Sequence, residues 1–114
     1  MSDCLFCKIV AGTIPCTKVL DDENILAFRD IDPKAPSHIL VIPKEHIGGL
    51  TELEEHDMEL AGNLLITANK IAANEGLSEK GYRFVINSGV DGGQTVGHLH
   101  LHILGGRALS WPPG

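Results

Sequence analysis

His98-Leu99-His100-Leu101-His102-Ile103-Leu104, close to the C-terminus, alternates imidazole with aliphatic side chains. Successive side chains of a β-strand point to opposite faces, so this pattern predicts a strand whose aliphatic residues enter the core while its histidines share the other face. Three of the six histidines of the chain stand at this spacing, and a solvated strand face has no need of imidazole. We therefore interpret the stretch as a functional site, either a zinc site or a nucleophilic imidazole positioned by its neighbours.

The composition around this strand is that of one folded domain covering residues 1–114. With 43% hydrophobic and 21% charged residues, and no apolar run near the ~20 residues of a membrane span, the chain is expected to be soluble. Its formal net charge of −6 argues against nucleic acid as a partner. The N-terminal segment lacks the features of a secretory signal, and the three cysteines are an odd number, so we expect a cytoplasmic location.

Four further segments complete a predicted sheet. Residues 19–20 and 25–28 flank a polar turn and predict a hairpin, while residues 39–42 form an apolar run that Pro43 ends and predict a buried central strand. Residues 82–87 predict another strand, and the histidine stretch supplies the last, around residues 100–104. Strands joined by short connections and covered by one long helix indicate an α+β fold with a five-stranded antiparallel sheet.

Two helices are predicted. Asp3 is a plausible N-cap for a short N-terminal helix over residues 4–11, which Gly12 would end. Thr51 and Glu54 have the spacing of a capping box, so a long helix of roughly twenty residues is expected from Thr51 to Gly76. Its apolar stripe is expected to contain Met58, Ala61, Leu64, Leu65, Ala68, Ile71 and Ala72.

A glycine-rich loop over residues 87–97 leads into the histidine strand. Glycine admits positive φ and lets consecutive backbone N–H groups point at one anion, so an acidic protein can bind phosphate there. Taken alone, the loop is equally consistent with an ordinary hairpin connection. Beside three histidines the phosphate interpretation gains weight, and the Thr95 hydroxyl offers a proton to a leaving group.

The histidine stretch resembles the His-φ-His-φ-His-φ-φ signature (φ apolar) of the histidine triad family of nucleotide hydrolases and transferases. The likeness extends over residues 28–31, 35–38 and 91–94 to the C-terminal Trp111-Pro112-Pro113-Gly114. This ending resembles the Hint branch, the purine nucleoside phosphoramidases. The resemblance implies a HIT-like domain that pairs into a two-fold homodimer, to which residues 103–114 would contribute.

By this resemblance the reaction is hydrolysis of the P–N bond of a purine nucleoside 5′-phosphoramidate such as AMP-lysine, with AMP or GMP as product. His100 would be the nucleophile, oriented by a backbone carbonyl and forming a covalent nucleotidyl-histidine. His98 completes the triad, His102 and His38 would donate to phosphate oxygens and backbone, and Thr95 would assist departure of the amine. Thr95 replaces the serine of many relatives, and Gly97 stands where a bulkier residue is expected.

The resemblance also implies a substrate-binding set. The purine would lie against apolar side chains, the ribose against a carboxylate, and the phosphate against loop amides, with the tail reaching toward the partner's site. The purine residues would be Phe6, Ile9, Phe28 and Ile31, and the ribose carboxylate would be Asp30. The phosphate amides would be those of Gly93, Gln94, Thr95 and Val96, with Asn87 near the ribose or phosphate. Trp111 would be the tail residue that reaches the partner's site.

Cys4, Cys7, His46 and His98 resemble the zinc set found in part of the same family. Four nitrogen and sulfur ligands suit a closed, tetrahedral structural zinc, which would tether the N-terminal helix to the sheet and leave catalysis without a cofactor. The alternative is that the two cysteines are small buried hydrophobes and His46 a surface residue.

Two other functions stay open at this point. One is a nucleotide-binding or zinc-containing interaction module without turnover. The other is a different triad chemistry, the hydrolysis of dinucleoside polyphosphates or of adenylylated sugars and sulfate. No nucleic acid or membrane partner is expected from any of these readings.

Overall fold

A computed structural model describes residues 3–114, which fold into three helices and five strands. In chain order the elements are α1 (Leu5–Ala11), β1 (Lys18–Asp21), β2 (Ile25–Arg29), β3 (Ser37–Pro43), 3₁₀ turns at Leu50–Glu52 and Glu55–Asp57, α2 (Met58–Asn74), β4 (Tyr82–Val85), α3 (Gly89–Gly92) and β5 (Leu101–Gly105). The strands form one sheet in the order β1-β2-β3-β5-β4, and all neighbours are antiparallel. The predicted α+β fold is confirmed.

The sheet is covered on both faces, which explains why the central strand β3 is apolar at consecutive positions. One face packs under α2 and includes Ile39, Val41, Leu99, Leu101 and Ile103. The opposite face packs under α1 and includes Leu26, Phe28, Leu40 and Ile42, together with the helix residues Phe6 and Ile9. The three aliphatic residues of the histidine stretch thus enter the α2 core, as their alternation predicts.

Helix α1 begins one residue later than expected, and its cap is a thiol. The Cys4 side chain accepts a hydrogen bond from the backbone N–H of Cys7 at 3.4 Å, so Cys4 is the N-cap and the prediction of Asp3 was wrong. The helix ends as predicted at Gly12, whose φ of +83° favours glycine and whose N–H donates to the carbonyl of Ile9.

Helix α2 begins at Met58, so the predicted start at Thr51 was wrong. Leu53 is extended and separates the two 3₁₀ turns, and the capping box forms between Glu54 and Asp57 instead of Thr51 and Glu54. Both pairs have the same spacing in the sequence, and the box that forms caps the 3₁₀ turn Glu55–Asp57, which leads directly into α2. Gly76, with φ +77°, follows the helix end as predicted.

The buried face of α2 includes Leu64, Ala68, Ile71 and Ala72 as predicted, but it is not the whole predicted stripe. Met58 is 73% exposed and Leu65 is 49% exposed, so both predictions of burial were wrong. The residues that do face the sheet are Leu64, Thr67, Ala68, Ile71 and Ala72. Met58, Leu65 and Ile66 form an exposed apolar strip on the outer side of α2.

The last strand differs from its expected bounds in a way that bears on the site. β5 begins at Leu101, so His98 and His100 lie in the segment that enters it, and residues 103–105 belong to the sheet instead of the C-terminal tail. Among the described residues no helix has the length and apolar content needed to cross a bilayer.

Candidate active site

Four imidazoles gather on the α1 side of the sheet, where β3 and β5 lie side by side. In this pair Leu40 is opposite His102 and Leu104 is opposite His38, so His38 and His102 are diagonal neighbours on one face. Their facing ring nitrogens, Nε2 of His38 and Nδ1 of His102, are 2.9 Å apart. His98 and His100 precede them in the segment entering β5 and are buried.

The partners of His100 fix its tautomer. Its Nδ1 lies 2.7 Å from the carbonyl oxygen of His98, and a carbonyl can only accept, so Nδ1 carries the proton. Nε2 therefore keeps its lone pair. The ring is 5% exposed and packs edge-on against Phe6, with ring centroids 5.1 Å apart. A buried imidazole whose Nδ1 proton is held in this way has the geometry of a nitrogen nucleophile at Nε2.

A chain of hydrogen bonds places the proton of His102 on Nε2, the nitrogen that carries the lone pair in His100. The backbone N–H of Lys34 donates to Nδ1 of His38 at 3.0 Å, so the His38 proton is on Nε2 and is donated to Nδ1 of His102. The remaining His102 proton is then on Nε2. That N–H is buried and has no hydrogen-bond partner among the described residues. An unpaired buried donor costs about 1–3 kcal/mol, which an anionic ligand would recover by accepting from it.

The two histidines of this hydrogen-bond chain, His38 and His102, are called the relay, and both are held neutral. Burial, with smaller contributions from His100 and His38, lowers the pKa of His102 to about 4. Burial also lowers the pKa of His38, although the carboxylate of Asp30 opposes the shift. The expectation that His38 donates directly to phosphate is corrected by these contacts, because its only N–H is directed at His102. It acts through His102.

Asp30 extends this group, but the three residues do not fit a metal ion. Its Oδ2 lies 3.5 Å from Nε2 of His38, and the ligand atoms of Asp30, His38 and His102 all lie within 4.8 Å of one another. A metal ligand must present a lone pair, whereas the Lys34 amide already occupies the lone pair of His38 at Nδ1. Ligation through Nε2 would require a doubly deprotonated ring, so the group is a hydrogen-bond chain.

The glycine-rich loop contains the short helix α3, which takes up part of the predicted phosphate cradle. The backbone N–H groups of Gly93 and Gln94 donate to Val90 and Gly89 carbonyls at 3.1 and 3.0 Å. The amides of Thr95 and Val96 donate to no backbone carbonyl of the described residues, so they are the two that remain for an anion. The Thr95 side chain is exposed at the same edge.

The side chain of Gln94 has a structural role that sequence reasoning missed. Its Nε2 donates to the carbonyls of Gly48 and Val96 at 2.7 and 3.0 Å, and its Oε1 accepts from the N–H of Gly89 at 3.0 Å. These bonds join the loop after β3 to the loop before the triad. All three partners are backbone groups, so no residue type in the sequence could have signalled them.

Three of the four predicted base-pocket residues lie together. Phe6, Ile9 and Phe28 form part of the buried cluster under α1, and the rings of Phe6 and Phe28 meet edge-to-face with centroids 5.6 Å apart. Ile31 is 99% exposed and stands outside that cluster. Trp111 is also exposed, and Asn87 is half-buried just beyond the end of β4.

The four predicted metal ligands converge at the N-terminus of α1. Sγ of Cys7 is 3.2 Å from Nδ1 of His46, Sγ of Cys4 is 3.4 Å from Nδ1 of His98, and the two Nδ1 atoms are 3.2 Å apart. Tetrahedral zinc with ligand bonds of about 2.0–2.3 Å gives separations of about 3.3–3.8 Å. The separations of 3.4 Å and of 3.6 Å between Sγ of Cys7 and Nδ1 of His98 lie in this range, and the two of 3.2 Å are slightly shorter, so small side-chain shifts bring the set to zinc geometry.

The second nitrogen of His98 supports this assignment. Nε2 lies 2.9 Å from the carbonyl oxygen of Pro43 and must donate to it, which leaves the lone pair on Nδ1, facing the sulfurs. Burial lowers the pKa of His98 and keeps the ring neutral, the state that can bind a metal. The sequence could not signal the Pro43 carbonyl.

Comparison with known proteins gives consistent results. The profile of the HIT domain family matches residues 11–109. The chain is 53% identical to a 14 kDa zinc-binding protein of Zea mays, over 99% of this chain and 89% of that protein. It is 50% identical to a protein of Arabidopsis thaliana named adenylylsulfatase HINT1, over 99% of this chain and 78% of that protein. A crystal structure of a HIT family hydrolase from Legionella pneumophila Philadelphia 1 superposes with a TM-score of 0.97 at 58% identity, covering 98% of this chain and 100% of that one.

Proposed function

Because this chain belongs to the HIT domain family, we propose that it is a nucleotide hydrolase that cleaves the P–N bond of purine nucleoside 5′-phosphoramidates, such as AMP-lysine, to AMP or GMP. The observation that carries the proposal is that two neighbouring imidazoles differ at Nε2, where one has a lone pair and the other has a proton. His100 presents a lone pair at Nε2, whereas His102 presents a buried N–H that no group in residues 3–114 accepts. A lone pair beside an unused donor suits attack on the phosphorus of a phosphate group.

In the first step Nε2 of His100 attacks the α-phosphorus, a P–N(imidazole) bond forms and the P–N(amine) bond breaks. The ring becomes positively charged, and its Nδ1–H bond to the His98 carbonyl stabilises that charge. The His102 N–H donates to a non-bridging phosphate oxygen. The leaving amine takes a proton, which we assign to the exposed Thr95 hydroxyl.

In the second step water attacks the nucleotidyl-histidine and releases the nucleoside monophosphate. The P–N(imidazole) bond breaks, and the proton that the water loses goes to Thr95, which restores the hydroxyl that protonated the amine in the first step. His100 recovers its lone pair. Splitting one substitution into two steps with a covalent intermediate is the pattern of nucleophilic catalysis.

We assign nucleotide binding to groups whose hydrogen-bonding capacity is still free. Oδ1 of Asp30 accepts from the N–H of Asp32 at 2.8 Å, while Oδ2 is available to a ribose hydroxyl, and Asn87 lies near the ribose or phosphate. The amides of Thr95 and Val96 would receive the phosphate. The purine would lie against the cluster formed by Phe6, Ile9 and Phe28.

The Cys4, Cys7, His46 and His98 set would hold a zinc ion, whose chemistry here is that of a tetrahedral cross-link. Its ligands come from α1, from the loop after β3 and from the segment entering β5. The proposed reaction uses His100 Nε2, which is not among these ligands, so no cofactor is assigned to the chemical steps.

We also propose a two-fold homodimer. The outer side of α2 exposes Met58, Leu65 and Ile66 at 73%, 49% and 57%, and β4 is an edge strand of the sheet. Apolar side chains beside an unpaired edge favour a second copy as the partner. The tail is held along β4 by Arg83, whose Nη2 donates to the Ser110 carbonyl at 2.9 Å, and this would direct Trp111 toward the partner.

Two other candidates are distinguished by the same assay. The name of the Arabidopsis thaliana relative favours adenylyl sulfate as an alternative substrate, in which the leaving group is sulfate. Dinucleoside polyphosphates are a further alternative. A nucleotide-binding module without turnover would bind AMP and form no covalent adduct.

The test compares wild type with His100→Asn on an adenosine 5′-phosphoramidate that carries a fluorescent amine, with EDTA present. We expect fluorophore release by wild type only, faster than release from adenylyl sulfate or diadenosine polyphosphates at equal concentration. Tight AMP binding without release would instead support the binding module, and full activity of the variant would refute the assigned nucleophile.

A further inference from the structure

The metal-ligand set and the base pocket share the short helix α1. Cys4 caps the helix and Cys7 lies in its first turn, while Phe6 stands between them and points to the active site. The Phe6 ring contacts the rings of Phe28 and His100 with centroid separations of 5.6 and 5.1 Å. The position of the two thiols therefore determines the position of this wall of the base pocket.

Helix α1 has few other attachments. It is seven residues long, and its only buried residues are Phe6 and Ile9. A helix of this length is unstable by itself in water, so its structure depends on tertiary contacts. A cross-link through Cys4 and Cys7 would hold its first turn against the sheet, whereas without that link Phe6, Ile9 and the partly buried Val10 anchor it.

His98 behaves differently, although it belongs to the same set. Its ring is completely buried and is held by the Pro43 carbonyl at 2.9 Å, independently of the thiols. Its neighbour Leu99 donates a backbone hydrogen bond to the carbonyl of Ile47 at 2.6 Å. The His98 carbonyl that orients His100 is thus fixed by the core, whether or not an ion is bound.

Two cavities give an ion access to the set. One of about 430 Å³ is lined by His46 and the other, of about 440 Å³, by Cys4, and Thr95 and Gly97 border both. A Cβ at Gly97 would meet no atom within 4 Å, so the absence of a side chain there leaves the passage open. Three of the four residues, Cys4, Cys7 and His46, are partly exposed, so solvent reaches the set from this side.

We propose that occupancy of the Cys4, Cys7, His46 and His98 set by a tetrahedral divalent ion such as Zn²⁺ controls the affinity for the nucleotide and leaves the chemistry at His100 unchanged. Cys4 and Cys7 are positioning residues that act through α1 and Phe6. The inference rests on the proposed function for the identity of the nucleotide. It makes this enzyme's substrate affinity respond to free Zn²⁺.

The experiment measures AMP binding by calorimetry on protein stripped of metal and on the same protein reloaded with Zn²⁺, with the metal content determined in each sample. Hydrogen exchange of residues 5–11 is followed in parallel, and the KM and kcat for the fluorogenic phosphoramidate are determined. The variants are Cys4→Ser/Cys7→Ser, which lacks both thiolates, and Phe6→Ala. Cys16→Ser is the matched control, because Cys16 is outside the set.

We expect stripping to weaken AMP binding about three- to tenfold, the loss of one aromatic contact, with faster exchange in α1, a raised KM and a kcat within about twofold. The double cysteine variant should match the stripped protein and gain nothing from Zn²⁺, which excludes binding of Zn²⁺ to AMP itself. Phe6→Ala should bind AMP weakly at any Zn²⁺ concentration.

Unchanged AMP affinity after demonstrated metal loss would overturn the inference, and so would a fall in kcat at constant AMP affinity. Absence of phosphoramidate turnover is a separate result, because AMP binding and hydrogen exchange need no chemistry. That result would refute the proposed function, whereas the AMP-binding data would still decide whether nucleotide binding depends on the metal.

Discussion

Replacing His102 with phenylalanine should lower activity while leaving the stability of the fold unchanged or slightly higher. Nε2 of His102 is a buried donor without a partner in the part of the chain that the structure describes, so its removal relieves about 1–3 kcal/mol. The change also breaks the 2.9 Å bond from His38, worth about 0.5–1.5 kcal/mol, but Oδ2 of Asp30 lies 3.5 Å from the released N–H and can accept it. The expected sum is a protein of equal stability or about 1 kcal/mol more stable.

Activity should change in the opposite direction. A hydrogen bond to a charged phosphate oxygen is worth about 1.5–3 kcal/mol, so kcat/KM for the phosphoramidate should fall about 10- to 150-fold. Urea unfolding and steady-state kinetics on the same preparation measure both quantities. His56→Phe is the control, since the His56 side chain is 75% exposed and lies outside the site. A His102→Phe protein that is destabilised by more than about 2 kcal/mol, or that keeps wild-type activity, would refute the assigned polarity of the relay.

Three further predictions concern stability and assembly. The pKa of His102 is about 4 in the folded chain against an ordinary value of 6.5, so the unfolded chain takes up the proton first as the pH falls. Stability should therefore decrease between pH 6.5 and 4, with a slope of up to about 1.4 kcal/mol per pH unit, and urea unfolding of His102→Phe should show a smaller slope. Gly106→Ala places a Cβ 2.8 Å from Cβ of Pro36 at a φ of +92°, and thermal unfolding should show a loss of about 1–3 kcal/mol, whereas an unchanged midpoint would contradict the strain. Leu65→Lys puts a charge on the exposed strip of α2, and sedimentation should find monomers where wild type forms dimers; an intact dimer would place the interface elsewhere.

Much of the fold could be predicted because it depends on patterns that repeat along the chain. The alternation of residues 98–104 specifies which side chains enter the core, and the continuous apolar run of β3 indicates a strand covered on both faces. The predicted start of α2 was wrong, because two pairs of residues with capping-box spacing lie next to each other in the sequence. Thr51 with Glu54 and Glu54 with Asp57 have the same spacing, but only the first pair has the residue types of a capping box, and the second pair forms the box in the structure.

The site also has a part that the sequence could predict and a part that it could not. The alternation of residues 98–102 predicted that three histidines share one face, and the resemblance to the histidine triad family implied the set formed by Cys4, Cys7, His46 and His98. The polarity of each imidazole could not be predicted, because it is set by backbone groups: the Lys34 amide for His38, the His98 carbonyl for His100 and the Pro43 carbonyl for His98. Every residue type except proline carries the same amide and carbonyl, so only the folded geometry can show which of them face the rings.

The most direct test of the central claim is intact-protein mass spectrometry of samples quenched during turnover of an adenosine 5′-phosphoramidate. We predict a mass increase of one adenylyl group, located by peptide mapping at His100, that appears before AMP is released and decays with it. His100→Asn should show neither the adduct nor turnover. Turnover without any adduct, or an adduct at another residue, would contradict the assignment of His100 as the nucleophile.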